Sequence, residues 1–291
     1  MAHRFDRRVE DVGNVVSLEH VNTQIPDQQL ATLFYISGLG LTRDPFLMTG
    51  VDNMWANVGS SQFHLPTGKQ QVLRGATGLV LPEREALLGR LAAVRKPLEG
   101  TLFSFQERDD HVEAICPWGN RIRCHEPAPR FGRVALGLPY VELSVPVGAA
   151  AAIARFYREI LGAPARVEQD GGVPRAIVPV GPDQDLIFRE SEMPQPEFDG
   201  HHVQIYLQDF SGPYGRLLER GLISQEDDQH QYRFINIVDV DSNRPVFAIE
   251  HEVRSMRHPL YARPLVNRNP AQTYTNYMRG HDSWRGPYIP E

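Results

Sequence analysis

The sequence predicts an α+β protein built from four βαβββ units arranged as two similar halves. Two stretches far apart in the chain carry that prediction. His20-Val-Asn-Thr-Gln-Ile-Pro26 is followed by Phe34-Tyr-Ile-Ser-Gly-Leu-Gly-Leu41, and Tyr140-Val-Glu-Leu-Ser-Val-Pro146 by Phe156-Tyr-Arg-Glu-Ile-Leu-Gly-Ala163. In each, apolar and polar residues alternate with the strand period up to a Pro, and a helical Phe-Tyr segment then ends at Gly. A fainter second unit of the same order follows in each half, so the repeat organises the whole chain.

In chain order, the first unit spans about 16–66 and closes on Ser61-Gln-Phe-His-Leu-Pro66. In the second, about 74–127, Ala76 to Leu81 is a strand and Glu83 to Val94 an amphipathic helix. Strands at Phe103–Gln106, Val112–Cys116 and Arg121–Cys124 follow, the last two joined by Pro-Trp-Gly-Asn. The third unit runs from about 137 to 190. The fourth, about 200–252, has a strand at His202–Leu207, a helix at Tyr214–Arg220 and strands at Tyr232–Val238 and Pro245–Glu252. Domain limits follow: an extension over 1–15, halves at 16–127 and 137–253, a Pro/Gly/Arg-rich linker over 128–136, and a tail over 254–291 packing on the body.

The bulk numbers narrow the function. A chain of 291 residues with 41% hydrophobic and 23% charged residues is an ordinary globular protein. A formal charge of -6 argues against nucleic acid as the main partner, since phosphate binding needs a basic face. Neither a signal-peptide core nor an apolar run of spanning length is apparent, so a cytoplasmic location away from membranes is expected. Cys116 and Cys124, at the ends of a hairpin, are expected to be reduced and structural. The sequence has no P-loop, dinucleotide fingerprint or Ser/His/Asp nucleophile pattern; Gly38-Leu-Gly40 ends a helix rather than opening one.

Four βαβββ units with the doubled strand–Pro–Phe-Tyr–Leu-Gly order resemble the vicinal-oxygen-chelate superfamily of glyoxalases, bleomycin-resistance proteins and extradiol dioxygenases. Pro117-Trp-Gly-Asn-Arg-Ile-Arg-Cys124 resembles the closing hairpin of that superfamily. The resemblance covers about residues 16–252. It implies two tandem halves with curved mixed sheets, and one divalent metal ion (Zn, Ni, Mn or Fe) held by the first and last strands of two units.

Tested position by position, the implied ligands are His20 and His64 in the first unit and His202 and Glu250 in the fourth, laid out at similar separations. Three imidazoles and a carboxylate suit such an ion. Gln62 shares a strand face with His64, and Glu252 with Glu250, so each is an alternative. The matching positions elsewhere are Ala76 and Arg123 in the second unit and Tyr140 in the third, which predicts a silent second cleft. A site shared by units one and four implies a metal-dependent, glyoxalase-like lyase or isomerase using enolate chemistry, with Glu250 as ligand and base. An iron-dependent ring-cleaving dioxygenase and a non-catalytic binding protein are the alternatives. Glu142 in place of His20 would signal the self-contained dioxygenase layout. The expected partner is a small-molecule substrate, and a homodimer is compatible with the sequence.

Any single histidine on a strand is commonly a hydrogen-bonded interior residue. His201 and His251 should face away from His202 and Glu250. His258, Tyr261 and Arg263 lie just past the last strand, where the tail acts as a strap or closes a pocket.

Overall fold

The computed structural model describes residues 5–47 and 52–265. The tail beyond Leu265 lies outside them. The first unit comprises β1 (Val15–Asn22), α1 (Gln28–Ala31), β2 (Thr42–Arg43), β3 (Asn53–Val58) and β4 (Ser61–Pro66). The second comprises β5 (Gly75–Val80), α2 (Arg84–Ala93), β6 (Ser104–Glu107), β7 (Val112–Ile115) and β8 (Arg121–His125). The third has β9 (Gly137–Pro146), α3 (Ala150–Phe156), β10 (Arg166–Asp170), β11 (Val173–Gly181) and β12 (Gln184–Ser191). The fourth has β13 (His202–Leu207), α4 (Ser211–Glu219), β14 (Ile223–Asp228), β15 (Gln231–Val238) and β16 (Pro245–Ser255). The four-unit order is thus present. No helix among the described residues is long and apolar enough to cross a membrane.

Two eight-stranded mixed sheets result. The first has the order β14-β15-β16-β13-β1-β4-β3-β2, and the second β10-β11-β12-β9-β5-β8-β7-β6. Each sheet therefore draws one unit from each half: units one and four build the first, units two and three the second. The central pairs, β1 with β13 and β5 with β9, are antiparallel; within each unit the first strand runs parallel to the last. Close approach of β5 to β9 requires a glycine, because a Cβ at Gly75 would lie 1.9 Å from the Glu142 carbonyl oxygen.

The doubled Phe-Tyr motif explains how the helices pack. Asp27 caps α1 by accepting from the Gln29 and Leu30 amides, and Thr32–Gly38 continues it as a π-helix. In the third unit Tyr157–Leu161 does the same and ends at Gly162, whose φ of +74° suits glycine. Both Phe-Tyr pairs are fully buried: Tyr35 lies 5.1 Å from Phe63, and Phe156 lies 6.0 Å from Phe234. One continuous apolar core spans both sheets. Polar side chains lock the sheets together, notably Gln184, which donates to the Leu18 and Leu138 carbonyls and accepts from the Leu18 amide.

Strands alternate faces, so residues that flank the core-facing positions line the opposite face. Val21, Val203, Ile205 and Val253 enter the core. His20, Asn22, His202, Gln204, Glu250 and Glu252 are thereby turned to the other face of the first sheet.

Candidate metal centre

Register brings the two ends of the chain together. Asn22 on β1 pairs with His202 on β13 and with His64 on β4, and His20 pairs with Gln204 and Gln62. Candidate ligand nitrogens of His20, His64 and His202 all lie within 4.8 Å of one another. His20 is fully buried and His202 is 5% exposed. The structure thus assembles the three histidines from opposite halves.

The surroundings orient the rings. Asn22 Nδ2 lies 2.7 Å from His64 Nδ1, and Trp55 stacks on the His64 ring at 3.8 Å. His202 Nδ1 is 3.1 Å from Glu250 Oε2, while its Nε2 is 3.4 Å from Glu252 Oε2. Both nitrogens of His20, and Nε2 of His64 and of His202, are buried without a hydrogen-bond partner among the described residues. Leaving a buried polar atom unpaired costs about 1–3 kcal/mol, so three such rings around one point are poorly satisfied by protein alone. Burial holds His20 and His64 well below the ordinary imidazole range, which keeps them neutral.

The two candidate carboxylates are not equivalent. Glu250 pairs across the parallel ladder with His202, but Glu252 pairs with Gln204, two residues further on. In the first unit His64 likewise pairs with Asn22, two residues beyond His20. Glu252 is therefore the register equivalent of His64, and Glu250 that of Gln62. Glu252 is 3% exposed in its side chain and Glu250 17%. Burial opposes ionisation of Glu252, yet Arg254 and His202 outweigh it and hold the carboxyl well below its usual range. Burial likewise works against ionisation of Glu250, and His202 with Arg233 draws it down.

Gln62 is already engaged. Its Nε2 donates to Asp44 at 2.7 Å and to Asn57, and its Oε1 accepts from Arg263 at 3.3 Å. That cluster anchors the tail. Arg263 Nη2 also donates to Asp44 Oδ2 at 2.6 Å, both side chains being almost completely buried. Leu260 packs against Phe46, Leu47 and Trp55, and Tyr261 meets Tyr206 at 4.8 Å. Residues 256–265 thus strap the first sheet from β13 across to β3 and β4.

Sequence reasoning missed several residues here. Glu19 is buried beside His20 because the β1–β13 register slips between Leu18 and His20, a bulge that turns consecutive side chains to one side. Glu19 bonds Arg254 at 3.0 Å and accepts from the Tyr206 hydroxyl at 3.3 Å. Burial pushes its carboxyl up, against the pull of Arg254. Arg233 grips Glu250 and Glu252 together. A bulge leaves no mark on alternation, whereas Arg233 and Arg254 share the strand faces of known candidates and were findable on that ground. His251 does turn away, stacking on Phe234 at 4.3 Å, and His201 bonds Asp199 at 2.6 Å.

The second sheet places Ala76, Arg123 and Tyr140 at the positions equivalent to His20, His64 and His202: Gly78 pairs with both Arg123 and Tyr140, as Asn22 pairs with both His64 and His202. Ile187, paired with Glu142, stands where Glu252 does. Arg123 forms an ion pair with Glu142 at 3.0 Å. Glu142 therefore belongs to the other sheet and does not join His202. Asp110, His111 and His125 form a further group with donor atoms close together, but Arg130 already contacts Asp110 and His125 there. Cys116 and Cys124 are free and buried.

Comparison with family profiles of known proteins gives no match, and no curated protein matches the sequence. Solved structures do match. A Bacillus subtilis protein for which dioxygenase activity has been suggested superposes with a TM-score of 0.55 at 16% identity, over 90% of this chain and 89% of that one. Glyoxalase I from Zea mays gives 0.58 at 11% identity, over 82% and 92%. These likenesses show that the chain shares the fold of glyoxalase I.

Proposed function

We propose that this chain is a divalent-metal enzyme of the glyoxalase-like lyase or isomerase type, acting on a small oxygenated substrate in the cleft of the first sheet. The observation that carries the reading is the convergence of His20, His64 and His202, each with a buried ring nitrogen that makes no hydrogen bond among the described residues. An ion would satisfy one nitrogen on each ring, and neutral imidazoles are the form that ligates. The donors would be His20, His64, His202 and Glu252, the last preferred to Glu250 because it matches His64 in register. When bound, the ion supplies Lewis-acid polarisation of neighbouring substrate oxygens.

The protein's own groups do the rest. Glu250 accepts from His202 Nδ1 and so fixes the ring with Nε2 facing the cleft, the usual arrangement behind a ligating histidine. It is also the more accessible of the two carboxylates and stays ionised beside Arg233, which suits it to take a proton from substrate. Arg254 and Arg233 keep Glu252 charged and fixed. The strap packs Leu260 against Trp55, which stacks on the His64 ring, and so would shield that side of the site from water.

A second reading is a ring-cleaving iron dioxygenase, in which Glu252 and two of the three histidines would hold the ion and leave positions open. The test is elemental analysis of protein purified anaerobically without added metal, alongside Glu252→Gln and Glu250→Gln. Zn or Ni supports the lyase–isomerase reading, Fe supports the dioxygenase, and absence of any bound metal leaves a ligand-binding protein. Glu252→Gln should lose the ion more completely than Glu250→Gln; the reverse order would return the ligand role to Glu250.

A further inference from the structure

The groups behind two of the histidines differ in what they can do. His202 Nδ1 faces Glu250 Oε2 at 3.1 Å. An ionised carboxylate only accepts, so it fixes the ring proton on Nδ1 and leaves the lone pair on Nε2. Behind His64 stands an amide instead, with Asn22 Nδ2 2.7 Å from His64 Nδ1. An amide nitrogen only donates, so Nδ1 accepts and the proton of the neutral ring sits on Nε2. That Nε2 is buried and makes no hydrogen bond among the described residues. The plane of the ring is set separately, by its stack on Trp55 at an interplanar angle of 15°. Asn22 is itself 5% exposed and lies in register with both His64 and His202, at the centre of the group.

We infer that Asn22 is a positioning residue that decides which nitrogen of His64 is bare, and that His64 ligates only after the Asn22 amide has turned end for end. This rests on the metal-site reading above. Ligation through Nε2 needs a lone pair there, hence a proton on Nδ1 and an acceptor facing it. Asn22 supplies that acceptor by a half-turn of its last side-chain torsion, which brings Oδ1 to the place of Nδ2 and leaves the shape of the side chain unchanged. One N–H bond breaks at Nε2 and one forms at Nδ1 by exchange with water, and the ring is neutral before and after. Glu250 has no donor end to offer, so His202 stands in its ligating form at all times. Asn22 makes engagement of His64 a separate step, set by a residue that touches neither ion nor substrate.

The experiment uses the full chain with isotope-labelled histidine, stripped of metal by a chelator and then titrated with Zn2+. Long-range proton–nitrogen magnetic resonance spectra distinguish a protonated ring nitrogen from a bare one, and His64→Gln assigns the His64 signals by their loss. The expected result is a His64 proton on Nε2 without Zn2+ and on Nδ1 with it, while His202 holds its proton on Nδ1 in both. Asn22→Asp, whose carboxylate only accepts, should show the Nδ1 form of His64 without Zn2+ and bind Zn2+ at least as tightly as the parent. Asn22→Leu keeps the volume and removes both ends of the amide, and should bind Zn2+ about tenfold more weakly, as expected for loss of a group behind a ligating histidine. A proton already on Nδ1 in the stripped parent overturns the proposal, as does a His64 tautomer that Asn22→Asp leaves unaltered. Equal weakening of Zn2+ by both variants marks a structural role and overturns it too. If Asn22→Leu does not fold, the tautomer and affinity of Asn22→Asp carry the test with the same outcomes. Failure of the parent to take up Zn2+ is seen before any tautomer is compared, and overturns the metal reading and this inference with it.

Discussion

The two sheets are built on one plan and furnished differently. In each, two units meet through an antiparallel pair of first strands, and equivalent residues on that pair and on the last strands face one cleft. The first cleft carries His20, His64, His202 and Glu252; the second carries Ala76, Arg123, Tyr140 and Ile187. The position between the central histidines is Asn22 in the first cleft and Gly78 in the second. A Cβ at Gly78 would sit 2.2 Å from the Tyr140 ring, so the glycine lets that ring lie across β5, with its hydroxyl 2.8 Å from His125 Nε2. That face of the second sheet carries the Tyr140 ring and an Arg123–Glu142 ion pair. Scaffold and donor set are separable: the same backbone register can present imidazoles that each keep a ring nitrogen without a hydrogen bond among the described residues, or an internally satisfied salt bridge.

The sharpest way to break this contrast is His202→Ala. It should lower metal affinity by more than about 100-fold, beyond the loss typical of an outer-shell partner, with an unchanged far-ultraviolet circular dichroism spectrum. Retention of the parental metal content after dialysis would remove the distinction between the clefts.

Next in size is Arg263→Ala. It leaves Asp44 charged and almost wholly buried, and breaking a buried pair in that way costs about 3–5 kcal/mol. Urea unfolding should show the loss, and limited proteolysis should cut within 256–265. A variant as stable and as resistant as the parent would show that the strap is not keyed through Asp44.

Arg123→Ala should cost less, about 1–2 kcal/mol, because both partners keep partial contact with water. Its metal affinity should equal the parent's. A change in metal uptake would mean that the second cleft participates in binding.

The smallest effect concerns pH. Burial, with Arg254 adding to it, lowers His258 to about 4. Its folded pKa is below the unfolded value of about 6.5, so the unfolded chain binds more protons between those limits. The stabilisation is complete above about pH 6.5 and is lost as pH falls toward 4. His258→Gln should therefore flatten the fall in thermal midpoint between pH 7 and 5, measured by calorimetry. An unaltered slope would place His258 outside the tightly packed strap.

Much of the architecture was legible because it repeats. The Pro–Phe-Tyr–Gly order marked the first strand and helix of units one and three, and β13 was bounded as His202–Leu207 from alternation alone. The short or polar strands β2, β10 and β14 gave little signal, since two exposed residues or a charged edge carry no apolar period.

By itself the sequence determined the local chemistry: which segments alternate, where helices stop, and that histidines recur at matching places in units one and four. Those are properties of neighbouring residues and of covalent order. Tertiary structure decided everything that depends on register across strands distant in the chain. It placed Glu252 rather than Glu250 level with His64, committed Gln62 to Asp44 and Arg263, turned Glu19 inward through a bulge, and left the Gln204 amide without a hydrogen bond among the described residues. A shift of two residues in a strand keeps the same face and the same hydrophobic pattern, so no periodicity distinguishes Glu250 from Glu252. Only the pairing of β13 with β16 does.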